Sequence, residues 1–377
     1  MTRLFPAEFV LPGHPDKLCD AIADALVHEA SSREKRALVG IEVAVHRDNV
    51  TVTGRIACQD ASSIDVVSAV RGVYASAGYR ERDEEHEEPG WLPAPSHLKV
   101  SQDVCFGPLL DGEAEFRSIS DDQSIVTGYA IDLPGTNYLP PEQWLVSQIA
   151  RRLEALRTER RDLRLGPDGK AIVVLEQDGD ALRLRTFSTS LQQATGGDSV
   201  DLHRAVLAVL KESGQAAASA IPHFDPSLPP EVVVNGAGNF AVGGPEGDNG
   251  LSGKKLVVDA YGPRVPIGGG ALSGKDLYKA DRAGAILARR LAKLIVLTGV
   301  ARECTATLAL FPGDAEARIV SLRTGDGREL ETCRWSQLLD LSLAGVGDRF
   351  TGAEDLVDVA RHGHFTRDRA WEALTLA

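Results

Sequence analysis

Residues Gly243 to Asp281 read GGPEGDNGLSGKKLVVDAYGPRVPIGGGALSGKDLYKAD. Glycines come in clusters here (Gly243-Gly244, Gly247, Gly250, Gly253 and Gly268-Gly269-Gly270), with Lys254, Lys255, Lys275 and Lys279 threaded among them. Asp248, Asp259, Asp276 and Asp281 punctuate the same stretch. Glycine lets successive backbone N–H groups close on one anion, and a lysine ammonium gives a compact charge for a phosphate oxygen. Carboxylates beside such a cradle would repel phosphate unless a divalent cation lay between them. Mg2+ does this, taking one or two carboxylates plus phosphate oxygens. The pattern points to a polyphosphate, against the plainer reading of a glycine-rich loop with solvated lysines. Gly269 to Lys275 imitates a P-loop, but Asp276 stands where a Mg2+-binding Ser or Thr is required. The strand candidate Leu256-Val257-Val258 is also separated from it by Tyr261-Gly262-Pro263 and Pro266, so the match is accidental.

The lysines form a positive island in an acidic chain. Its 41 basic and 54 acidic residues give −13, which argues against nucleic acid or an anionic membrane as partner. At 377 residues the chain exceeds one ordinary core and suggests two or three modules. Five scattered cysteines without a C-x-x-C pair favour reduced thiols over disulfides or zinc. The stretch MTRLFPAEFV lacks the apolar run of a signal peptide, and no stretch is apolar for the ~18–20 residues of a membrane span. The expectation is a cytoplasmic protein.

Around the central stretch, periodicity predicts alternating elements. Pro15 suits a first helical position, with Leu18, Ile22, Ala25, Leu26 and Ala30 on one face. His14 and Asp16 then stand at a helix entrance, either as cap and dipole-stabilising acid or as part of an anion site. Residues 38–56 predict a hairpin; a turn at Asp48-Asn49 would set Glu42 opposite Arg55. A helix is expected over 63–77, a solvated mobile loop over Arg80–Glu88, and a long loop over 99–135. Helices are expected over 141–164, Val200–Gly214 and Arg282–Thr298, with Asp281 as a possible N-cap of the last. Strands are expected at Ala171–Leu175, Leu182–Phe187, Glu231–Asn235, Thr305–Phe311 and Ala317–Leu322, and Gly166–Lys170 reads as a turn. The whole is an α+β protein of several layers.

These motifs resemble the S-adenosylmethionine synthetase (methionine adenosyltransferase) family. Gly13-His14-Pro15-Asp16-Lys17 is similar to its GHPDK signature, and Gly243–Asp248 to its GGPxGD segment. Gly268–Asp276 is similar to its GGGAFSGKD hallmark, with Lys279, Asp281 and Arg282 at the family's spacing. The resemblance implies three similar α/β-layered domains with pseudo-threefold symmetry, built from 1–13 with 136–240, 14–108 with 241–281, and 109–135 with 282–377. It implies a homodimer or homotetramer with active sites between subunits. The reaction implied joins ATP and methionine: sulfur attacks the ribose C5′, and the triphosphate is expelled and hydrolysed, with two Mg2+ and a K+ assisting. By motif match His14, Lys275 and Asp122 would be catalytic, and Asp16 and Asp281 would hold Mg2+. Lys17, Lys254, Lys255, Lys279, Asp168, Lys170 and Phe240 would contact the nucleotide and its phosphates, and Asp248 the amino acid.

The departures lie on the amino-acid side. Arg55 stands where the family has the glutamate that holds the amino group, and Phe106 where it has a glutamine. Glu42, matching the K+ ligand, is kept. In the register expected above, the Arg55 guanidinium would take the place of K+ and repel methionine's ammonium unless Asp248 compensates. A related acceptor, or triphosphate hydrolysis without transfer, is the alternative this raises; a weakly active regulatory homologue is the other.

Overall fold

A computed structural model describes residues 2–83 and 89–374. In chain order, β1 (Arg3–Val10) leads into α1 (Pro15–Arg33), then the hairpin β2 (Leu38–His46) and β3 (Asn49–Ala57), α2 (Val66–Ala77), β4 (Lys99–Gly107) and β5 (Ser124–Ile131). The middle of the chain gives α3 (Pro141–Glu159), β6 (Leu165–Asp178), β7 (Ala181–Gln193), α4 (Ser199–Ala220), β8 (Phe224–Asp225) and β9 (Glu231–Val234). The last part gives β10 (Asn249–Leu251), α5 (Leu256–Asp259), α6 (Ala280–Leu297), β11 (Glu303–Leu310), β12 (Arg318–Thr324), α7 (Leu343–Phe350) and α8 (Leu356–His362).

The strands form three sheets, each drawn from separated parts of the chain. Their orders are β1-β6-β7-β8 with β9 also on β7, β10-β2-β3-β4, and β12-β11-β5. Helices α3 and α4 serve the first, α1 and α2 the second, and α6 and α7 the third. The expected α+β layering is found. One buried core joins the second and third sheets through α1 and α6; the other lies beneath the first sheet against α3 and α4. No helix among the described residues is long and apolar enough to cross a membrane.

Several local expectations are corrected. The hairpin turn is Arg47-Asp48, with Arg47 at φ 52° and His46 opposite Asn49, so Glu42 faces Thr53 and Arg55 faces Gly40. Neighbouring segments fix that turn: Arg47 N–H donates to Pro245 O at 2.7 Å and Lys99 N–H to Asp48 O at 2.8 Å. Much of the expected 99–135 loop is strand. β4 pairs parallel to β3 as an edge, so its polar Ser101 and Asp103 stay exposed and disguise it. Gly166–Lys170 lies within β6 rather than in a turn, and Leu256–Asp259 is a helical turn rather than a strand. Lys279, not Asp281, occupies the N-cap of α6. Of the Arg80–Glu88 run, residues 84–88 lie outside the described residues.

Candidate active site

Helix α1 begins where the sequence places it: Pro15 opens the first turn, and His14 Nδ1 accepts the Asp16 N–H at 3.2 Å. Along its buried face Asp16, Asp20 and Asp24 recur every four residues, one above another. Each accepts a backbone N–H from the glycine-rich stretch. Leu251 donates to Asp16 Oδ1 at 3.0 Å, Gly253 to Asp20 Oδ1 at 2.8 Å and Gly274 to Asp24 Oδ1 at 2.9 Å. The glycines are needed for this approach. A Cβ at Gly250 would lie 2.3 Å from Pro15 O, and one at Gly270 would lie 2.1 Å from the Asp281 carboxyl carbon. The stretch is thus stitched to α1 and presents its lysines from a fixed backbone.

Beneath it is a layer of buried charge. Arg282 grips Asp24 with two bonds of 2.7 and 2.9 Å, both side chains fully buried. Arg117 meets Asp276 at 2.8 Å, and Lys17 binds Asp20 and Asp259. Burial pushes the Asp20 carboxyl up to about 7, with Lys17 opposing and Asp259 adding to the rise. Lys17, expected to hold phosphate, is therefore the filling of this layer with no exposed surface.

Above the layer lie two charged groups. At one, Asp16 Oδ2 is 3.1 Å from Lys255 Nζ, and Asp16 Oδ1 is 3.6 Å from Lys254 Nζ. Burial would raise the Asp16 carboxyl, but the Leu251 amide and Lys255 bring it below its ordinary value. His14 is held at about 4, chiefly by burial, so its ring is neutral near pH 7. Since Nδ1 accepts, the ring proton sits on Nε2. At the other group, Lys275 Nζ lies 2.5 Å from Asp281 Oδ2, Ser124 Oγ donates to Asp281 Oδ1 at 2.5 Å, and Lys279 binds Asp121 at 2.5 Å. A third set comes from the first sheet. Asp168 Oδ2 accepts the Gly244 N–H at 2.7 Å, and burial raises its carboxyl to about 6. The Phe240 ring abuts Gly243 beside it, and Lys170 pairs with Glu8. The charges of Lys255, Lys170 and Asp248 all act on His14, which ties the first and third sets together.

Of the remaining expected residues, Asp122 is exposed and bonds only within its own turn; its neighbour Asp121 reaches Lys279 instead. Asp248 is exposed and Phe106 half-buried. Glu42 accepts from Ser252 Oγ at 2.5 Å. Arg55 pairs with Glu113 at 2.8 Å, not with Glu42. Glu113, Asp121 and Ser124 were invisible as site residues in the sequence, since the segment carrying them has no periodicity. Among the described residues, no three His, Cys, Asp or Glu side chains converge as a metal cluster. Carboxylates offered singly, at Asp16 and at Asp281, fit Mg2+ held mainly by phosphate oxygens.

Two family models match the chain: S-adenosylmethionine synthetase, N-terminal domain, over residues 2–89, and its C-terminal domain over residues 242–373. An S-adenosylmethionine synthase from Thermosynechococcus vestitus is 32% identical over 99% of this chain and 96% of its own. One from Staphylococcus epidermidis is 31% identical over the same shares, and one from Trichormus variabilis is 33% identical over 98% and 94%. The chain belongs to the S-adenosylmethionine synthetase family. The matched residues include both the α1 entrance and the lysine-bearing stretch. Identity near one third leaves room for the differences at Arg55 and Phe106 within an S-adenosylmethionine synthetase scaffold.

Proposed function

We propose that this protein is a methionine adenosyltransferase. The methionine sulfur attacks C5′ of ATP and forms the S–C5′ bond. The C5′–O bond breaks, and its electron pair leaves with the triphosphate, which water then cleaves to pyrophosphate and phosphate. One observation carries the reading. Lysines meet carboxylates in two groups, Lys254 and Lys255 at Asp16, and Lys275 and Lys279 at Asp281 and Asp121, a set of charges suited to a long polyanion with bound cations. Preorganised cations stabilise charge that develops on a leaving group. Sulfur needs no general base, and the neutral His14 has Nε2–H available to donate to the departing oxygen.

Asp16 and Asp281 would hold Mg2+, which when bound neutralises triphosphate charge; Glu42, beside Ser252, would take K+. ATP stacks on Phe240 and meets Asp168 and Lys170 with its ribose and phosphates. The chain works as a homodimer or a pair of dimers, with the 1–13/136–240, 14–108/241–281 and 109–135/282–377 units as its domains. Five unpaired cysteines support a cytoplasmic setting.

A second reading, transfer to an acceptor other than methionine, is favoured by Arg55. The pairing with Glu113 weighs against it, because the carboxylate offsets the guanidinium that would repel an ammonium. Incubation with ATP, Mg2+ and methionine, with and without K+, followed by mass spectrometry, separates the two. S-adenosylmethionine with pyrophosphate and phosphate supports the first. Phosphate products alone exclude methionine as acceptor.

A further inference from the structure

Three segments of the candidate site meet at one buried phenol, Tyr79. Helix α2 ends on Gly78, whose φ of 108° is open to glycine, and Tyr79 N–H closes the cap on Tyr74 O at 3.0 Å. That turn sends the Tyr79 ring inward against Tyr74, with 5.3 Å between ring centres, and leaves it 1% exposed. Its hydroxyl donates to Gly13 O at 2.6 Å. The peptide between Gly13 and His14 is therefore held at both polar ends, because His14 N–H donates to Leu11 O at 3.0 Å. Leu11 N–H is bonded in turn to Gly169 O at 2.8 Å, next to Asp168. A Cβ on Gly13 would collide with Pro167, and a Cβ on Gly244 with the Tyr79 hydroxyl oxygen. Gly244 is the residue whose N–H Asp168 accepts. Burial, and then the Asp168 charge, push the phenol well above its ordinary value, so the hydroxyl keeps its proton and stays a donor.

We propose that Tyr79 is a positioning residue for the adenosyl transfer: by clamping the Gly13–His14 peptide it aims the His14 ring at the departing oxygen. This rests on the adenosyltransferase reading and adds to it a residue outside the charged groups. His14 takes φ −61° and ψ 137°, and its Nδ1 is committed to the Asp16 N–H. The direction of Nε2–H therefore follows the peptide plane that precedes it. A rotation of that plane moves the donor sideways and leaves the lysine cradle where it is. A misplacement of about 1 Å at a reacting group costs up to about a hundredfold in rate.

The test compares wild type with Tyr79→Phe, which removes one oxygen and keeps the ring against Tyr74. In hydrogen exchange of the full chain, the His14 amide is expected to exchange faster in the variant, while amides of α3 keep their rates. Turnover at saturating ATP, Mg2+ and methionine is expected to fall about tenfold, with the KM for ATP nearly constant. His14→Asn supplies the control. Asn keeps a cap for the Asp16 N–H but has no imidazole to aim, so Tyr79→Phe in that background should cost no further turnover. Equal exchange at His14, unchanged turnover, or a loss that persists undiminished beside His14→Asn overturns the proposal; the last would make Tyr79 a packing residue alone. A wild type that forms no S-adenosylmethionine removes the adenosyltransferase reading, and the exchange comparison still decides whether Tyr79 clamps the peptide. The two readings therefore fail separately.

Discussion

Asp281 is held from two sides, by Lys275 at 2.5 Å and by Ser124 at 2.5 Å, while Gly270 leaves no room for a shift. Lys275→Ala removes the cation that the proposed reaction sets against the leaving triphosphate, and frees the Asp281 carboxylate to move. The expected result is a fall in turnover of about 10²–10³-fold with little change in melting temperature. Phosphate release at saturating ATP reads it directly, and unchanged release would remove this lysine from the mechanism. In the proposed reading Arg55 faces the acceptor, and Glu113→Gln would leave its charge unbalanced. The KM for methionine is then expected to rise about tenfold or more, with the KM for ATP nearly unchanged. Parallel changes in both constants would mean that Glu113 shapes the loop rather than the acceptor pocket. Asp20 carries a pH signature. Its carboxyl is raised from 3.8 to about 7 in the fold, so between these values the folded chain holds a proton that the unfolded chain has lost. Its contribution to stability therefore falls as pH rises through that window. Asp20→Asn keeps an acceptor for Gly253 N–H and leaves Lys17 to Asp259. Denaturant midpoints should then decline less between pH 4 and 7 in the variant than in wild type.

Helix α1 shows how much an element discloses before it is seen packed. Pro15, the His14 cap and the face formed by Leu18, Ile22 and Leu26 are local, and the sequence displays them. Asp20 and Asp24 are different. An amphipathic pattern places such acids toward solvent, and only the second layer, with its glycine amides and Arg282, makes them buried acceptors. The hairpin is similar: its strands follow from alternation, but a two-residue turn without Asn-Gly or Asp-Gly does not name its own register. Contacts with Pro245 and Lys99 decide it. β4 was missed because an edge strand with one wet face looks like a loop, and α5 because three apolar residues fit a strand or a helix. In the site, the lysines and the two separated carboxylates are legible because close glycines mark them. Asp121 and Glu113 are not, since their partners are distant in sequence. The element-scale test is Asp24→Ala, which strands Arg282 in a dry layer and unties Gly274. A loss of about 3–5 kcal/mol is expected from denaturant unfolding. A loss below about 1 kcal/mol would mean that water reaches the pair.

Across the whole molecule, each of the three sheets carries aliphatic side chains that reach water. On β3, Val50 and Val52 are buried while Thr51 and Thr53 are exposed. Ile172, Leu251 and Ile125, one from each sheet, are 37%, 45% and 65% exposed. Ile172 is the telling case, because β6 is an interior strand of its sheet, where an aliphatic side chain in water is a cost the fold does not require. A second copy of the chain laid across these faces would bury them together. It would also bring Glu42, Ser252 and Leu251 of the exposed rim beside the partner's surface. Ile172→Asp places a charge at that contact while leaving the side of β6 packed on α3 untouched. Light scattering across a concentration series should show wild type at the mass of a dimer or more and the variant shifted toward a single chain, with circular dichroism unchanged. If the variant keeps the wild-type mass, the open face of the first sheet lies outside the interface. If it becomes a single chain and turns over ATP and methionine at the wild-type rate, the active site is complete within one subunit. Loss of turnover together with loss of mass is the outcome expected of a site assembled between copies, with Glu42 and Asp122, exposed on a single chain, among the residues a second copy would cover.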